Sequence, residues 1–157
     1  DFEITDSQGG LLAAATSSWI LWDLPTKQPA RREENLPDDV TVDRRALPDD
    51  FPVLPPIETA DRELTFRVAL QDIDFNNHVN HAVYIQWALE TPPEAILRTA
   101  RPVDIEVAYK SEAFYGDEVV SKARTSGSGP GPAFLHGIFH KDKGTELPRL
   151  RTAWAYD

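Results

Sequence analysis

The chain has 157 residues, of which 41% are hydrophobic, and its formal net charge at pH 7 is -10. This length suits one domain or two small ones, and the hydrophobic content excludes wholesale disorder. The negative charge argues against nucleic acid as the main partner, the absence of cysteine excludes disulfides and a thiol nucleophile, and the apolar runs are too short to span a membrane.

The first zone, residues 1–31, is predicted to be a β-hairpin. Phe2 and Ile4 alternate with polar residues, and the turn signal Ser7-Gln8-Gly9-Gly10 follows them. Residues 11–24 should then form one long second strand, on which Trp19 and Trp22 have opposite parity, so that one is buried. The chain has no methionine and begins inside a predicted strand, and we therefore expect a processed or truncated sequence.

The second zone, residues 32–61, is predicted to be a linker. It is acidic and rich in proline, which removes backbone donors and restricts the preceding residue. One short helical turn is expected around residues 38–45. The third zone, residues 62–157, should open with a half-buried strand, because Leu64, Phe66, Val68 and Leu70 alternate with less apolar residues.

A helix is predicted from His81 to Glu90. Its apolar stripe has helical spacing, and Asn80 is a good N-cap because its side chain can accept a hydrogen bond from the first turn. The sequence Thr91-Pro92-Pro93-Glu94 resembles a capping box that opens a second, short helix.

Four strands should follow, at residues 103–110, 118–124, 133–140 and 150–156. One helix followed by an antiparallel meander predicts an α+β fold with the helix against one sheet face. On these strands we expect His136 and His140 to be solvated. Arg149 and Arg151 should meet Asp104 or Glu106 across the sheet.

The polar segment between the first strand and the helix carries the most chemical information. Asp74, Asn76 and His78 lie two residues apart, so an extended loop would project all three to one side, just before a helix N-terminus. A carboxylate, an amide, an imidazole and unpaired backbone N–H groups can together activate water, orient a carbonyl and stabilise an oxyanion.

Two other interpretations of this segment stay open on residue types alone. Asp and Asn before a helix are common turn and capping residues. His78 and His81 with Asp74 could also ligate zinc, although His78 precedes the helix.

The pattern Asp72-x-Asp74-x-x-x-His78-Val79-Asn80-x-x-x-Tyr84 resembles the active-site loop of the hotdog thioesterase superfamily. With Asn76 it is similar to the plant plastid acyl-acyl carrier protein (acyl-ACP) thioesterases and their bacterial relatives. Two further matches are Tyr109-Lys110-Ser111-Glu112-Ala113 with Tyr115-Gly116-Asp117, and the segment 15–31, which resembles the end of that family's N-terminal hotdog domain.

The resemblance implies a catalytic set of Asp74, Asn76, His78 and Glu112, in which Glu112 or Asp74 activates the water. It places the oxyanion site at the helix N-terminus, with Asn80 and His81, and the acyl pocket beside Val83, Tyr84 and Trp87, which could equally be ordinary core. Strand parity puts Glu112 on the wrong face unless the strand bulges or bends between Lys110 and Glu112.

The fold implied is an α+β hotdog at residues 62–157, preceded by a partial N-terminal hotdog. The implied activity is water-dependent hydrolysis of fatty acyl-ACP with no cofactor, metal, nucleic acid or membrane, in the bacterial cytoplasm or a plant plastid. An acyl-CoA thioesterase and a non-catalytic or truncated hotdog module are the alternatives. Homodimers are also expected, and ACP, which is acidic, would need a basic patch drawn from Arg98, Arg101, Lys110, Lys122 and Arg124.

Overall fold

A computed structural model describes residues 1–23, 25–26, 28–31, 44–127 and 129–156. The chain divides into two compact units, Asp1–Pro52 and Val53–Asp157. Residues 53–61, which the sequence places in the linker, thus belong to the second unit. The helical turn expected around residues 38–45 lies mostly outside the described residues.

The first unit contains the predicted hairpin, made of β1 (Phe2–Thr5) and β2 (Leu11–Ala15) in antiparallel pairing. A second pair is very short: β3 (Trp22–Asp23) and β4 (Gln28–Pro29). The prediction of one strand through residues 11–24 is wrong, because the pairing with β1 ends at the Phe2–Ala15 pair. The prediction that one of Trp19 and Trp22 is buried is also wrong, since both are exposed.

The second unit is built on one five-stranded antiparallel sheet. After β5 (Arg62–Arg67) come a 3₁₀ turn (Leu70–Asp72), α1 (His81–Glu90) and α2 (Glu94–Thr99). The remaining strands are β6 (Ala100–Tyr109), β7 (Glu118–Thr125), β8 (Ala133–His140) and β9 (Glu146–Tyr156). The strand order is β5-β7-β8-β9-β6. Within the described part of the chain no helix is both long and apolar enough to cross a bilayer.

The ends of the helices show one correct and one wrong prediction. α1 has the predicted bounds, and the Asn80 side chain accepts a hydrogen bond from the Ala82 N–H. The predicted capping box of α2 is absent, because its N-cap is Pro93, which offers no side-chain acceptor. Thr91 instead ends α1, where its buried hydroxyl donates to the Trp87 carbonyl at 2.7 Å.

The core lies between α1 and one face of the sheet. Its buried members include Val83, Tyr84, Trp87 and Ala88 of α1 and Val119, Ile138, Leu147 and Leu150 of the strands. The prediction that His136 and His140 are solvated is wrong. Both are buried, because they share the strand face of Ile138, which α1 covers.

The opposite face of the sheet is partly covered by residues 53–61. The Arg149 guanidinium, which is also paired with Glu146, donates to the buried Leu54 carbonyl. The Ile57 side chain lies directly over Gly137. Of the two predicted cross-sheet pairs, Arg151 does meet Glu106, at 2.7 Å.

Candidate active site

The segment Ile73–Val79 forms a tight turn. Ile73 and Val79 are bridged, the Asp74 N–H donates to the His78 carbonyl at 2.9 Å, and the Asn77 N–H donates to the Asp74 carbonyl at 3.1 Å. Asn77 closes the turn with a φ of 64°, a left-handed conformation that asparagine adopts more readily than most residues. The expectation of an extended loop is therefore wrong.

Asp74 organises this turn. Its Oδ1 accepts a hydrogen bond from the Asn76 N–H at 2.8 Å, the arrangement of an Asx turn. Asp74 and His78 are half-buried, whereas Asn76 is exposed. The carboxylate of Asp74 thus has a structural role whatever its part in chemistry.

Glu112 reaches the turn from the end of β6. The strand bends there, because the N–H groups of Lys110 and Ser111 both donate to the Leu147 carbonyl, at 2.8 and 3.2 Å. Two residues facing one partner shift the alternation of side chains. The Glu112 carboxylate then lies 3.3 Å from the His78 Nε2, with side chains 59% and 34% exposed. A carboxylate and an imidazole, brought together from distant parts of the sequence, remain open to solvent.

The two site segments are joined through Ala113, which is fully buried. Its carbonyl accepts from the Val79 N–H at 3.0 Å, and its own N–H donates to the Tyr84 hydroxyl oxygen at 2.9 Å. Burial raises the pKa of Tyr84 to about 12, so this hydroxyl stays neutral. Tyr84 therefore connects α1 to the Glu112 segment.

Several backbone groups at the start of α1 that could serve an oxyanion site already have hydrogen-bond partners. The Asn80 N–H donates to the Asp72 carbonyl at 2.8 Å, and the Ala82 N–H is taken by the Asn80 side chain. The Tyr109 hydroxyl donates to the His81 carbonyl at 3.2 Å, and their rings are 4.5 Å apart. The Asn80 N–H is thus already committed.

The residues expected beside an acyl pocket lie in the core. Val83, Tyr84 and Trp87 are buried, and Trp87 stacks on Phe66 with ring centroids 5.6 Å apart. Phe114 meets His78 edge-on, with ring centroids 5.2 Å apart, and is exposed. Phe75, which follows Asp74 in the turn, is also exposed. Sequence reasoning missed both, although each adjoins a motif residue, and that adjacency was the available signal.

Several of the basic residues expected to form a patch for ACP are neutralised by acidic neighbours. Three of the candidate side chains are ion-paired: Arg98 with Glu94, Lys110 with Glu146, and Lys122 with Glu63. Among the residues that the structure describes, no three His, Asp or Glu side chains converge as a metal site would require.

Comparison with known proteins identifies the family. Residues 57–156 match the acyl-ACP thioesterase C-terminal domain. Over 172 residues, 98% of this chain and 40% of the relative, the sequence is 32% identical to the chloroplastic acyl-ACP hydrolase FATB2 of Cuphea viscosissima. This chain therefore belongs to the acyl-ACP thioesterase family.

Two solved structures place the fold. The 12:0-ACP thioesterase of Umbellularia californica is 25% identical with a TM-score of 0.71, over 87% of this chain and 52% of that one. A Lactobacillus plantarum protein assigned as an oleoyl thioesterase is 26% identical with a TM-score of 0.77, over 98% and 61%. The predicted α+β hotdog fold is confirmed. The chain spans about 40–50% of the length of the curated relatives.

Proposed function

We propose that this chain carries the catalytic domain of a thioester hydrolase that releases a fatty acid from ACP. The observation that carries the proposal is the 3.3 Å contact between Glu112 and His78, in a solvent-open site where the exposed Phe114 ring lies against His78. Hydrolysis needs a base that activates water beside an apolar approach for the acyl chain, and we assign these parts to Glu112 and Phe114.

In the proposed reaction Glu112 is the general base. It takes a proton from water as the water oxygen forms a bond to the thioester carbonyl carbon. The tetrahedral intermediate then collapses, the C–S bond breaks, and the thiolate takes a proton to leave as the carrier thiol. The fatty acid is the second product. No acyl-enzyme forms, since water is the nucleophile.

The other site residues stabilise the oxyanion or position the groups that do so. We assign the developing oxyanion to the side chains of His78 and Asn76, because the Asn80 N–H already donates to the Asp72 carbonyl. Asp74 holds the turn that presents both groups through its bond to the Asn76 N–H. Oxyanion donors of this kind are each worth about 3–4 kcal/mol of transition-state stabilisation.

The proposal also covers the carrier of the acyl chain, the compartment and the identity of the first unit. ACP is favoured over coenzyme A because the relatives are named for ACP substrates. The Cuphea relative is named as chloroplastic, and we place this chain with its substrate, in a plastid or a bacterial cytoplasm. Residues 1–31 are proposed to be the last hairpin of an N-terminal hotdog, since the alignments with relatives extend over 98% of this chain.

Glu112→Gln tests the proposal. Removing the base while keeping the side-chain shape should lower kcat by about 10²- to 10⁴-fold on acyl-ACP. Asp74→Asn should cost much less, because its amide oxygen can still accept from the Asn76 N–H. Steady-state thiol release, with acyl-ACP and acyl-CoA compared at equal chain length, measures both variants and the carrier preference.

The matched control is Glu118→Gln, a surface carboxylate paired with Lys141 at 3.1 Å and outside the site. It should retain wild-type kcat. A Glu112→Gln protein that keeps its rate, or an Asp74→Asn protein that loses as much as Glu112→Gln, would contradict the assignment of the base. Wild-type protein inactive on every acyl thioester would instead support a non-catalytic module.

A further inference from the structure

The buried imidazole of His140 contacts the segment that carries Glu112. His140 is at the end of β8, only 7% exposed, and its Nε2 is 3.2 Å from the Glu112 carbonyl oxygen. Because a carbonyl oxygen only accepts, the proton must be on Nε2, which donates. His140 therefore contacts the main chain of Glu112, whereas His78 contacts its carboxylate.

The backbone of His140 is itself fixed. Its N–H donates to the Thr145 carbonyl and its carbonyl accepts from the Gly144 N–H, both at 2.9 Å, within the β8–β9 turn. Its second ring nitrogen, Nδ1, is 3.8 Å from the Asp117 carboxylate, which accepts from the Phe114 N–H at 2.9 Å. The ring thus spans the Glu112 segment, with the Glu112 carbonyl at one nitrogen and Asp117 near the other.

Packing does not fix the Glu112 side chain, which is 59% exposed. Its direction depends instead on the orientation of its backbone. Bonds to Val79 and Tyr84 hold Ala113, the residue after Glu112. The peptide between Glu112 and Ala113 is planar, and His140 holds its carbonyl end while Tyr84 holds its N–H end. Loss of the His140 bond would leave this plane held only from the Ala113 side, so that the Glu112 carbonyl could tilt.

We propose that His140 is a positioning residue, which keeps the Glu112 carboxylate against His78 by holding the Glu112 carbonyl. The proposal rests on the proposed function and adds to it a residue outside the Asp74-x-Asn76-x-His78 loop and the Glu112 strand end. His140 does not touch the substrate or the reacting water in this role. Its effect is on kcat, through the placement of the base.

The test compares His140→Gln, His140→Asn and His140→Leu. A glutamine amide nitrogen reaches about as far as Nε2, an asparagine only about as far as Nδ1, and leucine has no donor. We expect kcat to fall by up to about 100-fold in the Leu and Asn variants with little change in KM, and glutamine to restore it to within a few-fold of wild type.

His136→Leu is the matched control, because His136 is also a buried histidine on the same strand face, bonded to Thr152 at 2.9 Å. It should retain kcat. The proposal is overturned if folded His140→Leu keeps the wild-type kcat, if His136→Leu loses as much, or if Gln and Asn variants are equal.

Crystal structures separate this proposal from the proposed function. In His140→Asn the distance between His78 Nε2 and Glu112 Oε2 should increase by about 1 Å or more. If wild-type protein hydrolyses no thioester, the proposed function fails, and this distance alone decides the role of His140. An unchanged distance overturns it.

Discussion

The two units use similar strand sequences with opposite results. In the first hairpin Phe2, Ile4 and Leu11 have exposed fractions of 63%, 61% and 61%. In the sheet of the second unit Ile138 and Leu150 have none. The difference is a second layer, since α1 covers one face of that sheet. Alternation of apolar residues specifies a strand, but only a packed neighbour turns its apolar face into a core.

Leu150→Ala against Leu11→Ala is the strongest test of this comparison. The buried substitution should lower the free energy of unfolding by about 2–5 kcal/mol, because it leaves a cavity beneath α1. The exposed one should change it by about 0.5 kcal/mol or less. Urea unfolding followed by tryptophan fluorescence suits the measurement, as Trp87 and Trp154 are buried in the second unit. Equal effects would contradict the contrast between the units.

A pH titration sharpens the same comparison, because a covered sheet face keeps a histidine neutral at pH values where an exposed histidine is protonated. Burial lowers the pKa of His136 from 6.5 to about 4. Between these values the unfolded chain binds more protons, so stability falls as the pH falls, by about 3 kcal/mol in total. Thermal unfolding from pH 7 to pH 4 should show this loss, and His136→Gln should flatten it.

Glu146 also makes stability depend on pH, but at lower pH values than His136. Burial raises the pKa of Glu146, but hydrogen bonds and charge from Arg149 and Lys110 outweigh it and leave the pKa lowered. The stability that Glu146 contributes is lost only as the pH falls below about 4.5. A His136→Gln protein with the wild-type slope above pH 4.5 would show that His136 is not the group responsible.

Gly137→Ala tests whether residues 53–61 pack against the sheet face opposite α1. A Cβ there would lie 2.7 Å from both the Ile57 Cγ2 and the Phe139 ring, so both side chains must give way. We expect a loss of about 1–3 kcal/mol in urea unfolding. Adding Ile57→Ala should restore part of it, since the obstructing methyl is then removed. Purely additive losses in the double variant would show that residues 53–61 do not press on this strand.

Several local features could be predicted because neighbouring residues decide them. α1 and β8 have the predicted bounds, and Asn80 caps α1 as expected. The capping box failed for a tertiary reason: Thr91 is held in the core by Trp87 and by the Ser121 hydroxyl, 2.7 Å away. The two strand histidines were misjudged because polar character favours exposure, whereas their shared face with Ile138 decided burial.

The candidate site divides in the same way. Asp74, Asn76 and His78 stand together in the sequence, so their motif could be recognised, although not the turn that Asn77 closes. Glu112 lies 34 residues beyond His78, and parity alone placed it on the wrong face. The strand bulges where the N–H groups of Lys110 and Ser111 both donate to the Leu147 carbonyl, and this bulge turns Glu112 towards His78.

The sequence by itself determined the order of strands and helices in the second unit, the capped start of α1 and the identity of the polar turn, because these depend on residues close in the chain. Only the tertiary structure decided that Glu112 meets His78, that the backbone N–H of Asn80 is already bonded, and that His140 contacts the Glu112 carbonyl. Each of these depends on hydrogen bonds between segments that only the folded sheet brings within reach.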